Sequence, residues 1–243
     1  MRFRRALTAL LAAVVAVTTA CADSADDEVL LVSAAASLTD AFNGIALAYE
    51  ADHPGIDVRL NLAGSTTLRE QALNGAPTDL VATANPETMA TVVDAGLTAG
   101  DPIVFARNRM AIAVPAGNLA GVTGLADFAE PTLLLGLCAE PVPCGTLARR
   151  ILDRAGVIPA VDTNEPDVRS LLTKIQADEL DAGIVYVTDV VAADDSVEGI
   201  DIPAEVNLAT EYPIAVLQSA SNIEVAQDFV GFVRSARGRE ILA

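Results

Sequence analysis

The chain has 243 residues, 33 acidic against 15 basic side chains, a net charge of −18 and one histidine. So acidic a protein offers no basic patch for a phosphate backbone, which excludes a nucleic-acid partner. The histidine, His53, stands beside Pro54 in a polar turn, so no ordinary Ser-His nucleophile can be assembled.

From the N-terminus, Arg2, Arg4 and Arg5 precede an uncharged apolar run from Ala6 to Val17, which ends in Thr18-Thr19-Ala20-Cys21. This is an export signal, too short to span a bilayer as a mature helix. Residues 1–20 read as a signal peptide. Cys21 reads as the acylated first residue of a lipoprotein held on the outer side of the cytoplasmic membrane, although Thr18 stands where such signals usually carry Leu. A plain secretory peptide is the alternative. Residues 21–28, short and acidic, read as a tether. Loss of the leader arginines makes the mature chain more acidic still, but charge is screened beyond about 8–10 Å, so a local donor cluster can still capture an anion.

Val29-Leu30-Leu31-Val32 is a strand-length apolar run, and Leu38, Phe42, Ile45 and Tyr49 then share one helix face. Ile56, Val58, Leu60 and Leu62 alternate as in a half-buried strand. A helix is expected after Gly64-Ser65-Thr66-Thr67, ending at Asn74-Gly75, and a third strand at Asp79 to Ala82. The theme then repeats. Strands are expected at Met110–Val114, Leu133–Cys138, Gly183–Val187 and Pro213–Leu217, and helices at Thr146–Ala155 and Asp167–Gln176. Helical spacing from Ile223 to Leu242 closes the chain. Strands alternating with helices at this pace imply βαβ units. No repeat or long linker separates independent domains, so two lobes sharing crossing strands are expected.

Metal and cofactor chemistry find little support, since the acids are scattered and neither a Walker loop nor a dinucleotide glycine fingerprint occurs. What stands out is the position of two hydroxyls. Ser37 and Ser65 each lie between a strand end and a helix start, where ligands bind in open α/β sheets and where free N–H groups attract anions. Helix capping is the alternative role for both.

The segment Val32-Ser33-Ala34-Ala35-Ala36-Ser37-Leu38-Thr39-Asp40-Ala41-Phe42 resembles the opening motif of periplasmic molybdate-binding proteins. Ala63-Gly64-Ser65-Thr66-Thr67-Leu68, Gly75-Ala76-Pro77-Thr78-Asp79-Leu80, Val142-Pro143-Cys144-Gly145, Asp167-Val168-Arg169 and Asp181-Ala182-Gly183-Ile184-Val185-Tyr186 follow in the family's order. The resemblance implies an α/β fold of the two-lobed type II periplasmic-binding-protein kind, each lobe a mainly parallel sheet flanked by helices. Lobe I would comprise residues 29–107 plus 213–243, and lobe II residues 108–212.

The resemblance also implies a ligand, molybdate or tungstate, and no cofactor, enzymatic activity or direct protein ligand to a metal. Ser37 and Ser65 would donate from one lobe. Cys144 and Val168 would present backbone N–H groups from the other, and Tyr186 its phenol. The partner would be the permease of an ABC importer, served by a monomer. Two departures stand in the motifs: Cys144 where Ala is frequent, and Thr83-Ala84-Asn85 where Ser-Ala-Asp is commoner. The alternatives are binding of sulfate, thiosulfate or phosphate and, from other classes, a secreted hydrolase or a ligand-sensing module.

Cys138 and Cys144, six residues apart in an exported chain, read either as a disulfide that fixes the loop presenting the Cys144 N–H or as two buried or free thiols.

Overall fold

The computed structural model describes residues 28–243; the leader, Cys21 and the tether up to Asp27 lie outside them. The elements in order are β1 (Glu28–Ala35), α1 (Thr39–Asp52), β2 (Ile56–Ala63), α2 (Ser65–Leu73), β3 (Leu80–Ala82), α3 (Pro86–Asp94), β4 (Ile103–Pro115) and β5 (Leu135–Cys138). Then follow α4 (Pro143–Arg154), β6 (Thr163–Glu165), α5 (Val168–Gln176), β7 (Ala182–Tyr186), α6 (Val187–Ala192), β8 (Val197–Asp201), β9 (Ala209–Val216), α7 (Ile223–Val233) and α8 (Ala236–Leu242).

The strands run β2-β1-β3-β9-β4-β7-β5-β6, with β8 also paired to β4. β1 pairs in parallel with β2 and β3, and β5 with β6 and β7. The two parallel sets are joined by antiparallel strands. β4 pairs with β9 through Ile103–Arg109 and with β7 through Met110–Ala113, so one long strand serves both sets. The sheet is therefore of mixed sense, parallel towards its ends and antiparallel at the crossing. The expected lobe boundaries, 107/108 and 212/213, fall inside β4 and β9.

β1 buries Leu30, Val32, Ala34 and Ala35, as expected of a strand covered on both faces. The covering is aromatic on one side. Phe42 of α1 meets Phe105 of β4 and Phe229 of α7 edge to face at 5.8 and 6.4 Å, and Tyr49 meets Phe229 at 5.1 Å. The Gly-Ala-Pro-Thr-Asp motif has a packing role: buried Asp79 accepts the N–H groups of Leu31 at 2.7 Å and Ser221 at 2.6 Å, tying β1 to the approach of α7.

Of the boundaries that differ from expectation, three have a plain local cause. Glu28, expected in the tether, opens β1, its N–H donating to Gly55 O at 2.8 Å. The helix expected from Thr146 begins at Pro143, since proline suits a first helical position that needs no N–H. The C-terminal helix is two helices, because the Ser235 side chain accepts the N–H of Gly238 and starts α8 afresh. Among the described residues, no helix is long and apolar enough to cross a membrane.

Candidate functional site

The strand ends bring one residue set together. Ala35, Ala36, Ser37, Gly64, Ser65, Ala84, Val142, Pro143, Cys144, Asp167, Val168 and Tyr186 line a cleft of about 10 Å3. All five expected ligand residues, Ser37, Ser65, Cys144, Val168 and Tyr186, are among them. The volume matches about one water-sized body, so the walls lie close together. No lysine, arginine or histidine lines the cleft.

Neither serine caps its helix. Ser37 sits in a 3-10 turn, Ala36–Leu38, whose start has no side-chain cap. Ser65 is the first residue of α2, which follows Gly64 and also starts without one. The hydroxyls engage other partners: Ser65 Oγ accepts the N–H of Ala84 at 3.0 Å, and Ser37 Oγ lies 3.0 Å from Tyr212 Oη. α4 likewise starts uncapped at Val142, and Pro143 supplies no N–H, which places the N–H groups of Cys144 and Gly145 at its opening. By contrast, α3, α7 and α8 are capped by Asn85, Asn222 and Ser235. The turns that border the cleft are those whose donors remain free of side-chain caps, α5 excepted.

α5 has a cap in Asp167, whose Oδ1 accepts the Ser170 N–H at 2.8 Å. That commits this carboxylate to its own helix. The Val168 N–H, one position into α5, is left to the cleft, where side-chain identity is immaterial. Asp40, in the first turn of α1, pairs with Arg169 and does not line the cleft.

Tyr186 ends β7 with its side chain 1% exposed, and its hydroxyl has no hydrogen-bond partner. An unpaired buried hydroxyl costs about 1–3 kcal/mol, so it marks a place where a ligand is expected. Burial, the neighbouring Tyr212 and Asp189 all push the Tyr186 phenol well above its ordinary range, so it remains a proton donor. Asp189, one turn on, accepts the Tyr186 N–H at 2.9 Å and is itself raised to about 7, burial being the first cause.

Cys138 and Cys144 form a disulfide, with Cα atoms 5.8 Å apart. It ties the end of β5 to the first turn of α4. Arg149 closes the same loop by donating to Cys138 O at 2.7 Å, and a Cβ on Gly145 would lie 2.0 Å from Ala139 O. Across the cleft, a Cβ on Gly64 would lie 2.7 Å from Pro166 O, so only glycine lets these two walls meet.

Four participants escaped the sequence reading: Gly64, Ala84, Tyr212 and Asp189. Ala84 stands in the Thr83-Ala84-Asn85 loop and serves by its backbone alone, which no side-chain pattern announces. Tyr212 touches a serine 175 positions away.

Residues 30–243 match the family model described as bacterial extracellular solute-binding protein. The molybdate-binding protein ModA of Mycobacterium tuberculosis is 38% identical over 213 residues, covering 88% of this chain and 82% of that protein. ModA of Escherichia coli is 30% identical over 230 residues, covering 89% and 88%. Among solved structures, the periplasmic molybdate-binding protein of Azotobacter vinelandii superposes with a TM-score of 0.76 at 15% identity, covering 87% of this chain and 95% of that one. The sulfate-binding protein SubI of Mycobacterium tuberculosis gives 0.77 at 18% identity, covering 88% and 84%, a likeness of fold. With its family match over nearly all the described residues and relatives of this identity, the chain belongs to the bacterial extracellular solute-binding proteins, alongside the molybdate-binding proteins.

Proposed function

We propose that the protein binds molybdate, and tungstate with it, outside the cytoplasm and delivers the anion to the permease of an ABC importer. The observation that carries this reading is the buried, unpartnered Tyr186 hydroxyl in a cleft bordered by three uncapped turns. Two serine hydroxyls, the backbone N–H groups of Cys144 and Val168 and the Tyr186 phenol then surround a tetrahedral dianion. Hydrogen bonds to a charged group contribute about 1.5–3 kcal/mol each, and helix starts add partial positive charge. Together these compensate for the absent cation, and ordering and dehydration offset part of the sum. Relatives that bear the name molybdate-binding protein favour this anion over others.

In this reading two lobes, residues 29–107 with 213–243 and residues 108–212, part about β4 and β9 to admit the anion and close to present it. Cys21 carries the lipid anchor, and the protein acts as a monomer. The second reading is sulfate, favoured by the fold shared with the sulfate-binding protein. Phosphate fits less well, because hydrogen phosphate brings a proton, Asp40 is paired with Arg169, and Asp167, the carboxylate that lines the cleft, already accepts the Ser170 N–H.

Thermal unfolding of the mature protein with molybdate, tungstate, sulfate, thiosulfate and phosphate tests the reading. Molybdate at a hundred times its dissociation constant should add about 2.7 kcal/mol. Stabilisation by sulfate with none by molybdate would transfer the assignment to the second reading.

A further inference from the structure

We propose that Tyr212 is the residue that sets the polarity of Ser37: its phenol donates to Ser37 Oγ from behind and so commits the Ser37 proton to the bound anion. The inference rests on the oxyanion reading of the cleft. It assigns a positioning and specificity-determining role to a residue that does not line the cleft.

The two serines are built alike. A hydroxyl has one proton and two lone pairs. At Ser65 the partner behind is the backbone N–H of Ala84, which can only donate, so the oxygen accepts there and its proton leaves in another direction. At Ser37 the partner is Tyr212 Oη at 3.0 Å. If Ser37 is to present its proton to an anion, Tyr212 must take the donor role. The phenol is suited to this because burial, aided by the nearby Asp189 and opposed by hydrogen bonding with Ser37, Asn108 and Tyr186, holds it above its ordinary range as O–H. Its position is fixed as well. Tyr212 is 1% exposed, with the Tyr186 ring edge-to-face at 5.9 Å and Phe105 at 6.4 Å.

Tyr212 lines the adjoining cavity of about 260 Å3, which shares Ser37 with the cleft, so it reaches the anion through the serine. Both serines then turn protons inward. A fully deprotonated oxyanion accepts from each, whereas an anion that keeps a proton brings a donor to face donors. Without the phenol, Ser37 would rotate freely and could accept, which weakens the hold on molybdate and relaxes the exclusion of hydrogen phosphate.

The test is titration calorimetry of molybdate and inorganic phosphate on the mature parent, Tyr212→Phe, Ser37→Ala and the double variant. Loss of one neutral hydrogen bond corresponds to a molybdate affinity about three- to tenfold lower in Tyr212→Phe. The ratio of molybdate to phosphate affinity should narrow with it, and Tyr212→Phe should cost nothing further once Ser37 is alanine. A merely structural tyrosine would weaken both anions in proportion, or cost the same with Ser37 absent; either result overturns the proposal, as does unchanged molybdate affinity. A parent that binds no tetrahedral oxyanion overturns the functional reading as well, whereas a parent that binds beside an indifferent Tyr212→Phe overturns this inference alone. Should that variant not fold, a crystal structure of the parent with molybdate decides. Tyr212 Oη must still contact Ser37 Oγ while Ser37 contacts the anion, and a phenol that leaves the serine or ligates the anion directly refutes the assignment.

Discussion

Replacing Tyr186 by phenylalanine should move stability and affinity in opposite directions. With the cleft walls together, as in this structure, the Tyr186 hydroxyl is buried without a partner. Deleting it removes a desolvation penalty of about 1–3 kcal/mol. At about 2–4 °C per kcal/mol for a domain of this size, the free variant should melt roughly 2–12 °C above the parent. In the complex the same hydroxyl is proposed to donate to a dianion, a bond that contributes about 1.5–3 kcal/mol, so molybdate should bind about ten- to a hundredfold more weakly. Differential scanning calorimetry of the free form and titration calorimetry of the complex read the two quantities separately. The phenyl ring stays packed against Tyr212 in either form, so lost packing cannot imitate the result. A variant that melts lower than the parent and binds molybdate equally well would refute the reasoning, since its hydroxyl would then be a structural group with a partner.

Ser65→Ala should show a different pattern, losing stability and affinity together by about 1–3 kcal/mol each, because it also strands the buried Ala84 N–H; unchanged molybdate binding would remove Ser65 from the site. Gly64→Ala places a Cβ against Pro166 O and should hold the walls apart, lowering affinity by about tenfold, or roughly 1.4 kcal/mol; parental affinity in calorimetry would show that the walls need not meet. Asp189 is raised from 3.8 to about 7, so the folded form holds the proton more tightly and its contribution to stability falls as pH rises between those values, by roughly 4 kcal/mol at most. Asp189→Asn keeps an oxygen for the Tyr186 N–H without the buried charge, and denaturant unfolding should show the variant gaining on the parent from pH 5 to pH 8; a gap that stays constant with pH contradicts this. Replacing Cys138 and Cys144 together by alanine should cost about 2 kcal/mol for so short a loop, seen as a lower melting temperature, while molybdate still binds because residue 144 offers its main chain. Abolished binding would place sulfur in the site.

Local pattern carried a large part of the fold. The apolar spacing of Leu38, Phe42, Ile45 and Tyr49 records which face of α1 meets the sheet, and three of the four lie on that helix's buried face. The near-continuous run in β1 records a strand covered on both sides. The same reasoning placed Ser37, Ser65 and Tyr186 at strand ends, and the structure gathers all three with Cys144 and Val168 in one cleft. Short elements with few apolar residues were less legible. α3 shows its start, Asn85 before Pro86, but buries only Thr88, Met89 and Val92, too brief a stripe for periodicity to report.

The sequence by itself determined where each strand yields to a helix and therefore which residues stand at openings, because helix and strand periods are set by neighbours within a few positions. Only the tertiary structure decided what those residues do. A serine at a helix start caps that helix or turns elsewhere according to what reaches its oxygen, and here the partners arrive from Ala84 and Tyr212, 19 and 175 positions away. Hydrogen bonds between distant segments depend on how strands cross in space, and no local regularity in the chain encodes that crossing.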